Sequence, residues 1–501
     1  MDFYSFGVAS PPLPSPERAG SPNLLLHGAD IQILWQSWCD ALVLQKATPD
    51  SAPQAHYLGT GLTTAQAEHA KRIAISDSTA LFFGEALHRG LRCIVTRVKP
   101  SITLFAAELE LELEQENESS VPETETLPLQ FDFAIDHIKF SSSDDSIIVM
   151  VRNASQGRVF HFDSPDLFRK WLRDSNTSPP HVATNFPAEE WVQVVENATT
   201  LTALASSGRV FTWTYDARYP KCLGRPVDAE SPADCPSPVP YLSEIKIVKI
   251  ASGGYMTAAV SEDGELFLWG QACPGTQNEL TVLKDGEAKA ASAKKELFIR
   301  DLGMDPYLPP PPVTYTPWSP WTASKWHRDV AIMRRDGKLP PHPEDPRQAG
   351  SSGDEDDQDE FVKCVRLNLA VPNINVTDVA IGFGHILVAT CTEQHSSRMR
   401  AIYAAGQNDK GQLGLAQNLE YGMDALPEFA ENFEKLASFQ NSTLVSYQGK
   451  TMAQMRCVGW SSLVVIKKDP SAYSQTDPAR DLILDGQSGQ AQVDWENWCV
   501  L

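Results

Sequence analysis

The chain has 501 residues, 42% hydrophobic and 21% charged, the balance of a soluble globular protein, and 64 acidic residues against 42 basic ones give a formal charge of −22. That excess excludes broad electrostatic binding to nucleic acid, which needs a basic face, and leaves room only for a local basic patch. Nine widely spaced cysteines without a CxxC pair argue against a zinc site or a disulfide framework and fit a reducing compartment.

In chain order, the opening MDFYSFGVASPPLP has neither the basic nor the apolar region of a signal peptide. DFYSFG (2–7) reads as a strand without a partner of its own. ILWQSWCDALVLQ (33–45) followed by HYLGTG (56–61) has two apolar strands around a turn and a third behind them. GTGLTTA (59–65) half-resembles a dinucleotide fingerprint, but it lacks the third glycine and the βαβ setting. RIAISDSTALFF followed by HRGLRCIVT (72–96) reads as the next, weakest copy of the same strand pattern. The acidic run ELELELEQENESSVPETETLP (108–128) reads as a link between this copy and the next. Its alternating start extends a strand and its end is solvated linker.

HIKFSSSDDSIIVMVRNASQGRVFHF (137–162) and WVQVVENATTLTALASSGRVFTWTYDARYPKCLG (191–224) repeat the order of strand, turn, strand, turn, strand. IVKIASGGYMTAAVSEDGELFLWG (247–270) is a clean copy, with Asp263-Gly264 supplying the positive φ of a tight hairpin. VTDVAIGFGHILVATC (376–391) with AIYAAGQNDKGQLGLAQN (401–418) is the best. MRCVGWSSLVVIKK (455–468) stops before its last strand. No apolar run reaches the length of a membrane span. The sequons at Asn117, Asn153, Asn176, Asn197, Asn375 and Asn441 are then chance matches. WCVL puts Trp498 rather than Cys499 in the prenylation position.

A unit of three or four short strands recurring at roughly 50 residues predicts a β-propeller. One unit cannot bury its own apolar faces; stacking around an axis buries them and leaves only short edges. The last copy lacks a strand and the N-terminus has one to spare. The predicted fold is therefore an all-β, seven-bladed β-propeller over 1–468, closed by the N-terminal strand, with a polar tail at 469–501.

GFGHILVA (382–389), AAGQNDKGQLGL (404–415) and GGYMTAAVSEDGELFLWG (253–270) resemble the regulator of chromosome condensation repeat family, here as a degenerate, fungal-type member. The resemblance covers nearly the whole chain outside its insertions. It implies a seven-bladed propeller and a choice of roles: nucleotide exchange on the Ran GTPase, ultraviolet reception, ubiquitin-ligase modules, or scaffolds such as the fungal alpha-tubulin suppressor. The twelve tryptophans are scattered in sequence, which counts against an ultraviolet receptor. No room is left for an added ligase domain. An acidic chain without a basic N-terminal arm counts against a chromatin-bound exchange factor.

A long insertion, 272–366, is placed between blades 5 and 6. It contains PYLPPPPVTYTPWSPW (306–321) and GDEDDQDE (353–360), and a proline-rich stretch cannot join a central strand. It reads either as a linker or as a docking segment. In the second reading Trp318, Trp321 and Trp326 are the anchors, with Arg334 and Arg335 on a short helix.

No P-loop, nucleophile elbow, HExxH or paired-cysteine signature appears, so no catalytic, cofactor or metal residues are assigned. His385 is read as a brace between neighbouring loops, and Asp263, Asp409 and glycines 264, 406, 411 and 414 as turn formers. The expectation is a monomeric, non-enzymatic protein-binding scaffold or regulator of the cytoplasm or nucleus, binding neither nucleic acid nor membrane. The alternative is a guanine-nucleotide exchange factor for a Ran-type small GTPase, which needs only differential affinity for the nucleotide-free state.

Overall fold

A computed structural model gives the fold. It describes residues 1–7, 23–38, 40–85, 90–106, 123–129, 133–141, 146–152, 157–174, 181–185, 189–214, 220–228, 230–284, 361–365, 374–394, 397–415, 427–436, 442–443, 446–447, 450–451 and 454–468.

Seven antiparallel sheets follow one another along the chain, each a blade of a ring. Blade 1 is Asp30–Gln36, Ala41–Lys46 and Gln54–Leu58; blade 2 is Leu81–Glu85, Gly90–Thr96, Ser101–Phe105 and Thr124–Pro128. Blade 3 is Ala134–Phe140, Ile147–Arg152, Gly157–Phe162 and His181–Asn185; blade 4 is Trp191–Glu196, Leu201–Ala205, Val210–Trp213 and Ser237–Pro238. Blade 5 is Ile247–Gly253, Tyr255–Ser261, Leu266–Gln271 and Lys363–Val365; blade 6 is Ile374–Ile381, His385–Gln394, Ser397–Gln407 and Phe429–Lys435. Blade 7 takes Gln454–Val458 and Ser461–Lys468 from the end of the chain and Asp2–Gly7 and Asn23–His27 from its start.

The predicted closure is present. Asp2–Gly7 runs antiparallel to the last long strand, from Asp2 opposite Ile466 to Gly7 opposite Ser461. It takes the place that LFLWG holds in blade 5. Gly7, Gly270 and Gly406 end the third strand of blades 7, 5 and 6 with φ of 90°, 97° and 102°, a region closed to most side chains. A Cβ on any of the three would lie 2.1 Å from a carbonyl oxygen of the neighbouring hairpin, that of Trp460, Tyr255 or Gly384, so the repeat keeps glycine for space as well as for φ.

The period-2 alternation of each strand feeds two interfaces. In blade 5, Met256, Ala258, Val260, Leu266 and Leu268 face blade 6, whereas Ala259, Phe267 and Trp269 face blade 4. Apolar clusters of this kind occupy every junction around the ring. Burial of both faces is why these strands read as near-continuous apolar runs such as IIVMV and LTALA.

First strands of neighbouring blades touch one another, so they are innermost and line the channel. The first strands of blades 1, 3, 4, 5 and 6 carry a register shift that leaves Leu34, Asp136, Val192, Val248 and Thr377 as the extra residue. Such bulges twist an edge strand away from further pairing, which protects the inner edges. Val192 and Val248 are 58% and 51% exposed.

Three expectations change. Residues 72–76 are the end of a helix, Thr64–Ser76, rather than a strand. The helix follows the third strand of blade 1 and takes the place of its fourth, setting Ala67, Ala70 and Ile73 against Leu91, Ile94 and Phe105 of blade 2. Thr63 and Gln66 form a capping box at its start. Secondly, the long insertion lies one strand earlier than expected. Lys363–Val365 pairs back onto Leu266–Leu268, so the insertion joins the third and fourth strands of blade 5. Thirdly, the acidic run also joins a third and a fourth strand, those of blade 2, and its end, Thr124–Pro128, is that fourth strand rather than linker.

Among the described residues no helix is long and apolar enough to cross a membrane.

Candidate protein-binding face

The up-and-down order of each sheet puts the turn between strands 1 and 2 and the link between strands 3 and 4 at the same end. Because first strands are innermost, the first turns ring one mouth of the channel. The 3–4 links emerge around them.

Hydrogen bonds join these turns from blade to blade. Ala198 N donates to Gly254 O at 2.8 Å (blade 4 to 5), Phe383 N to Gly459 O at 2.6 Å (blade 6 to 7), and Ser461 Oγ to Trp38 O at 2.7 Å (blade 7 to 1). Asn197 Nδ2 donates to Thr257 Oγ1 at 3.2 Å. His385 is fully buried, with Nε2 2.9 Å from Ser462 Oγ of the next blade, and Ser462 Oγ donates to Gln412 O at 2.9 Å. Burial pushes the His385 imidazole down to about 4, so it is neutral at physiological pH. It is the loop brace the repeat pattern predicts.

The GQLG turn also takes its expected role. Asn408 Oδ1 accepts from Leu413 N, Asp409 Oδ1 accepts from Gln412 Nε2, and Leu413 is fully buried. PKCLG (220–224) is its counterpart, with Leu223 equally buried. Gly414 meets the Phe6 ring of blade 7 as Gly224 meets the Trp269 ring of blade 5.

On this scaffold the first turns of four consecutive blades set a run of aromatic rings around the mouth. Tyr255 (blade 5) and Phe383 (blade 6) have ring centroids 5.9 Å apart at 73°. Phe383 and Trp460 (blade 7) are 5.4 Å apart at 48°, and Trp460 and Trp38 (blade 1) 6.1 Å apart at 76°. All four are half-buried. Tryptophans scattered in sequence are thus partly gathered in space, which the sequence reading missed. The signal was present: each ring stands in the hairpin turn of its repeat, in SWC, GGY, GFG and GWS.

Below the mouth the inner strands carry charge. Lys249 Nζ of blade 5 contacts Asp378 Oδ1 of blade 6, and Asp378 Oδ2 accepts from Met455 N of blade 7 at 3.3 Å. Burial first, and Arg456 second, lower the Lys249 ammonium to about 7, against the pull of the Asp378 contact. Lys139 Nζ of blade 3 lies 3.7 Å from Glu196 Oε2 of blade 4. Burial raises the Glu196 carboxyl, but Lys139 and His137 outweigh it, so the net shift is downward. These pairs tie inner strands together. Among the described residues no group of three or more His, Cys, Asp or Glu is arranged to hold a metal ion.

Both insertions join the propeller at this face. The acidic link of blade 2 leaves after Ala106 and returns at Glu123, and Gln66 Nε2 donates to both carbonyls, at 3.0 and 2.9 Å. The long insertion leaves through Cys273, beside Gly384, and a short helix at Thr281–Lys284 whose Lys284 pairs with Glu431 of blade 6. It returns at Phe361 and the buried Val362. Trp318, Trp321, Trp326, Arg334 and Arg335 lie outside the described residues, as does the tail at 469–501.

No protein-family model matches the chain. A stretch of 104 residues, 20% of the chain, is 29% identical to the Arabidopsis thaliana RCC1 domain-containing protein RUG3, mitochondrial, and spans 22% of that relative's length. In structure the chain is similar to Prp20p of Saccharomyces cerevisiae, with a TM-score of 0.50 and 12% identity over 94% of this chain and 92% of that one. That structure was described together with the binding properties of Prp20p to Gsp1p and histones. A second structure of yeast RCC1 (Prp20), bound to Kap60, has a TM-score of 0.49 and 12% identity over 97% of this chain and 92% of that one.

Proposed function

We propose that this chain, a propeller with the fold of the chromosome-condensation regulators, is a non-enzymatic scaffold or regulator that seats a protein partner on the aromatic mouth. One observation carries the reading. Four half-buried aromatic residues from consecutive blades, Tyr255, Phe383, Trp460 and Trp38, meet at one end of the channel. Half-buried aromatics clustered at the centre of a rigid face are the usual anchors of an interface. The backbone beneath them is fixed by bonds between blades, so little ordering entropy opposes docking. The two insertions, rooted in the same face, extend the area a partner could meet.

Affinity capture with the intact chain, compared with a Trp38→Leu/Trp460→Leu variant that keeps the far-ultraviolet dichroism of the parent, tests the reading. Partners lost with the double variant support it. Partners retained in full would overturn it.

A second reading is guanine-nucleotide exchange on a Ran-type small GTPase. It is supported by the fold shared with Prp20p, whose structure was reported with its binding to Gsp1p. Release of fluorescent GDP from a Ran-type GTPase is the direct assay. Unaccelerated release would leave the scaffold reading alone.

A further inference from the structure

We propose that the channel of the ring holds a small-molecule site of its own: it takes an aliphatic monocarboxylic acid, with the carboxylate on Arg456 and the hydrocarbon chain against Val248 and Val192. The site is separate from the aromatic mouth and needs no partner there.

Charge is the first ground. Ion pairs account for most of the titratable groups on the described first strands, which line the channel. Asp136 pairs with Arg152 at 3.0 Å, Glu196 with Lys139 at 3.7 Å and with His137 at 3.9 Å, and Asp378 with Lys249. Glu85 is buried and Asp30 stands at the start of its strand, away from the rings. In the mouth loops, Lys221 and Lys284 act on Glu279, and Lys284 pairs with Glu431. Arg456 is the base left over. Among the described residues no acid or acceptor holds its guanidinium, and burial alone shifts its pKa, downward. Both oxygens of Asp378 are already taken, by Lys249 Nζ and Met455 N. Solvent nevertheless reaches the Arg456 side chain. Enclosure by protein and contact with water together describe a cation in a narrow wet channel. Its influence on Lys249, two blades away, places both heads there. A guanidinium stays charged and offers a planar fork of donors that matches a carboxylate.

The apolar lining is the second ground, and it is independent of charge. Bulges in the first strands of blades 4 and 5 leave Val192 and Val248 as extra residues at equivalent positions. Gln193 clamps these strands together, with Nε2 donating to Ile250 O at 2.7 Å and Oε1 accepting from Ile250 N at 3.1 Å. Both valines are exposed on innermost strands, so they present adjoining apolar surface to the channel. Arg456 lies two residues before Val458, the last paired residue of its strand, and Lys249 four before Gly253, the last of its own. Arg456 therefore stands on the mouth side of the valines. An acid would lie along the channel, head toward the rings and tail toward the far end. One spare positive charge beside an apolar wall suits a monocarboxylate with a hydrocarbon tail. A phosphate dianion would need a second free cation, and Lys249 is held by Asp378. An aspartate or glutamate of a partner would bring polar backbone to the valines.

The probes are acetate, butyrate and hexanoate, titrated calorimetrically into the full chain, with hexanamide, phosphate and chloride as comparisons at matched ionic strength. Hexanoate is expected to bind saturably, with affinity rising about two- to fourfold per added methylene. Hexanamide should bind about tenfold or more weakly. Arg456→Gln should lose hexanoate by about tenfold or more, and Arg456→Lys, which keeps the charge without the fork, by less. Val192→Ser/Val248→Ser, at two exposed positions, should flatten the dependence on chain length and leave acetate nearly unchanged. The Trp38→Leu/Trp460→Leu chain should bind hexanoate as the parent does.

Absence of saturable hexanoate binding overturns the proposal, as does equal binding of hexanamide or undiminished binding by a folded Arg456→Gln chain. Phosphate or chloride displacing hexanoate as well as acetate does, with no gain from chain length, would reduce the site to an adventitious ion only and also overturn it. An unchanged chain-length dependence in the valine variant overturns it even if Arg456→Gln does not fold. Loss of hexanoate binding in the Trp38→Leu/Trp460→Leu chain would overturn its separation from the mouth.

Discussion

Ser461 Oγ donates a hydrogen bond to the carbonyl oxygen of Trp38 at 2.7 Å, across 423 residues of sequence. The bond marks the junction of blade 7 with blade 1. Blade 7 itself is built from the two ends of the chain, two strands from each, side by side. An open ring of sheets would expose an unpaired edge and an apolar face at each end; sharing one sheet between the termini removes both. The Trp38 and Trp460 rings come together only because this junction is closed.

Closure should be felt in stability through Phe6. This side chain is fully buried, packed with Leu413, Met455 and Val464. Phe6→Ala is expected to cost about 3–5 kcal/mol by loss of transfer energy and creation of a cavity. Urea unfolding should show a lower midpoint with an unchanged slope. Leu24→Ala, at an exposed position of the adjoining strand, should shift the midpoint little.

The insertion can be removed only between the correct limits. Ala272, Leu280, Val362 and Val365 are buried, and Lys363–Val365 is the fourth strand of blade 5. Replacing 286–359 by a short Gly/Ser linker is expected to leave cooperative unfolding intact, since loop length costs little. Deleting 272–366 should destabilise the chain severely by stripping a strand from the sheet. Thermal unfolding of the two deletions distinguishes them, and only the first is a fair test of docking by Trp318, Trp321 and Trp326.

His385 predicts an acid limb. Burial pushes its imidazole down to about 4 from 6.5, so the unfolded chain binds the proton more readily than the folded one. Its contribution is complete above pH 6.5 and is lost as pH falls toward 4, at up to about 1.4 kcal/mol per pH unit. In His385→Gln that component of the slope should vanish, while stability at pH 7 also falls through loss of the Ser462 contact. Urea midpoints from pH 7 to 4.5 measure both effects.

Gln66 should govern the root of the acidic link. Its buried amide donates to Ala106 O and Glu123 O, and its side chain closes the capping box with Thr63. Gln66→Leu leaves those acceptors without the amide, at about 1–3 kcal/mol. Hydrogen exchange should quicken first at 101–106 and 124–128, ahead of global unfolding.

The helix at 64–76 was within reach of sequence reasoning and was missed. Thr63 and Gln66 spell a capping box, and Ala67, Ala70, Ile73 and Ala74 fall at helical spacing. The position after a strand in a β-repeat argued for another strand. A propeller tolerates the exchange because only the inner strands must pair in a fixed order; the outermost place has only to cover the next blade. The end of the acidic run was misread for the opposite reason. TETLP is polar because an outer strand faces solvent, so Thr124–Pro128 lacks the apolar pattern of the inner strands.

The sequence by itself determined the repeat, the number of blades and the closure of the ring. Those rest on local signals: apolar alternation, Asp-Gly hairpins and the glycines that end strands, each set by backbone sterics within a few residues. Only the tertiary structure decided that Trp38, Tyr255, Phe383 and Trp460 stand together, and that both acidic insertions leave from the same end. These are relations between residues far apart in the chain. They are fixed by the order in which antiparallel strands reverse and by the curvature that brings blade 7 beside blade 1, and no local pattern encodes either.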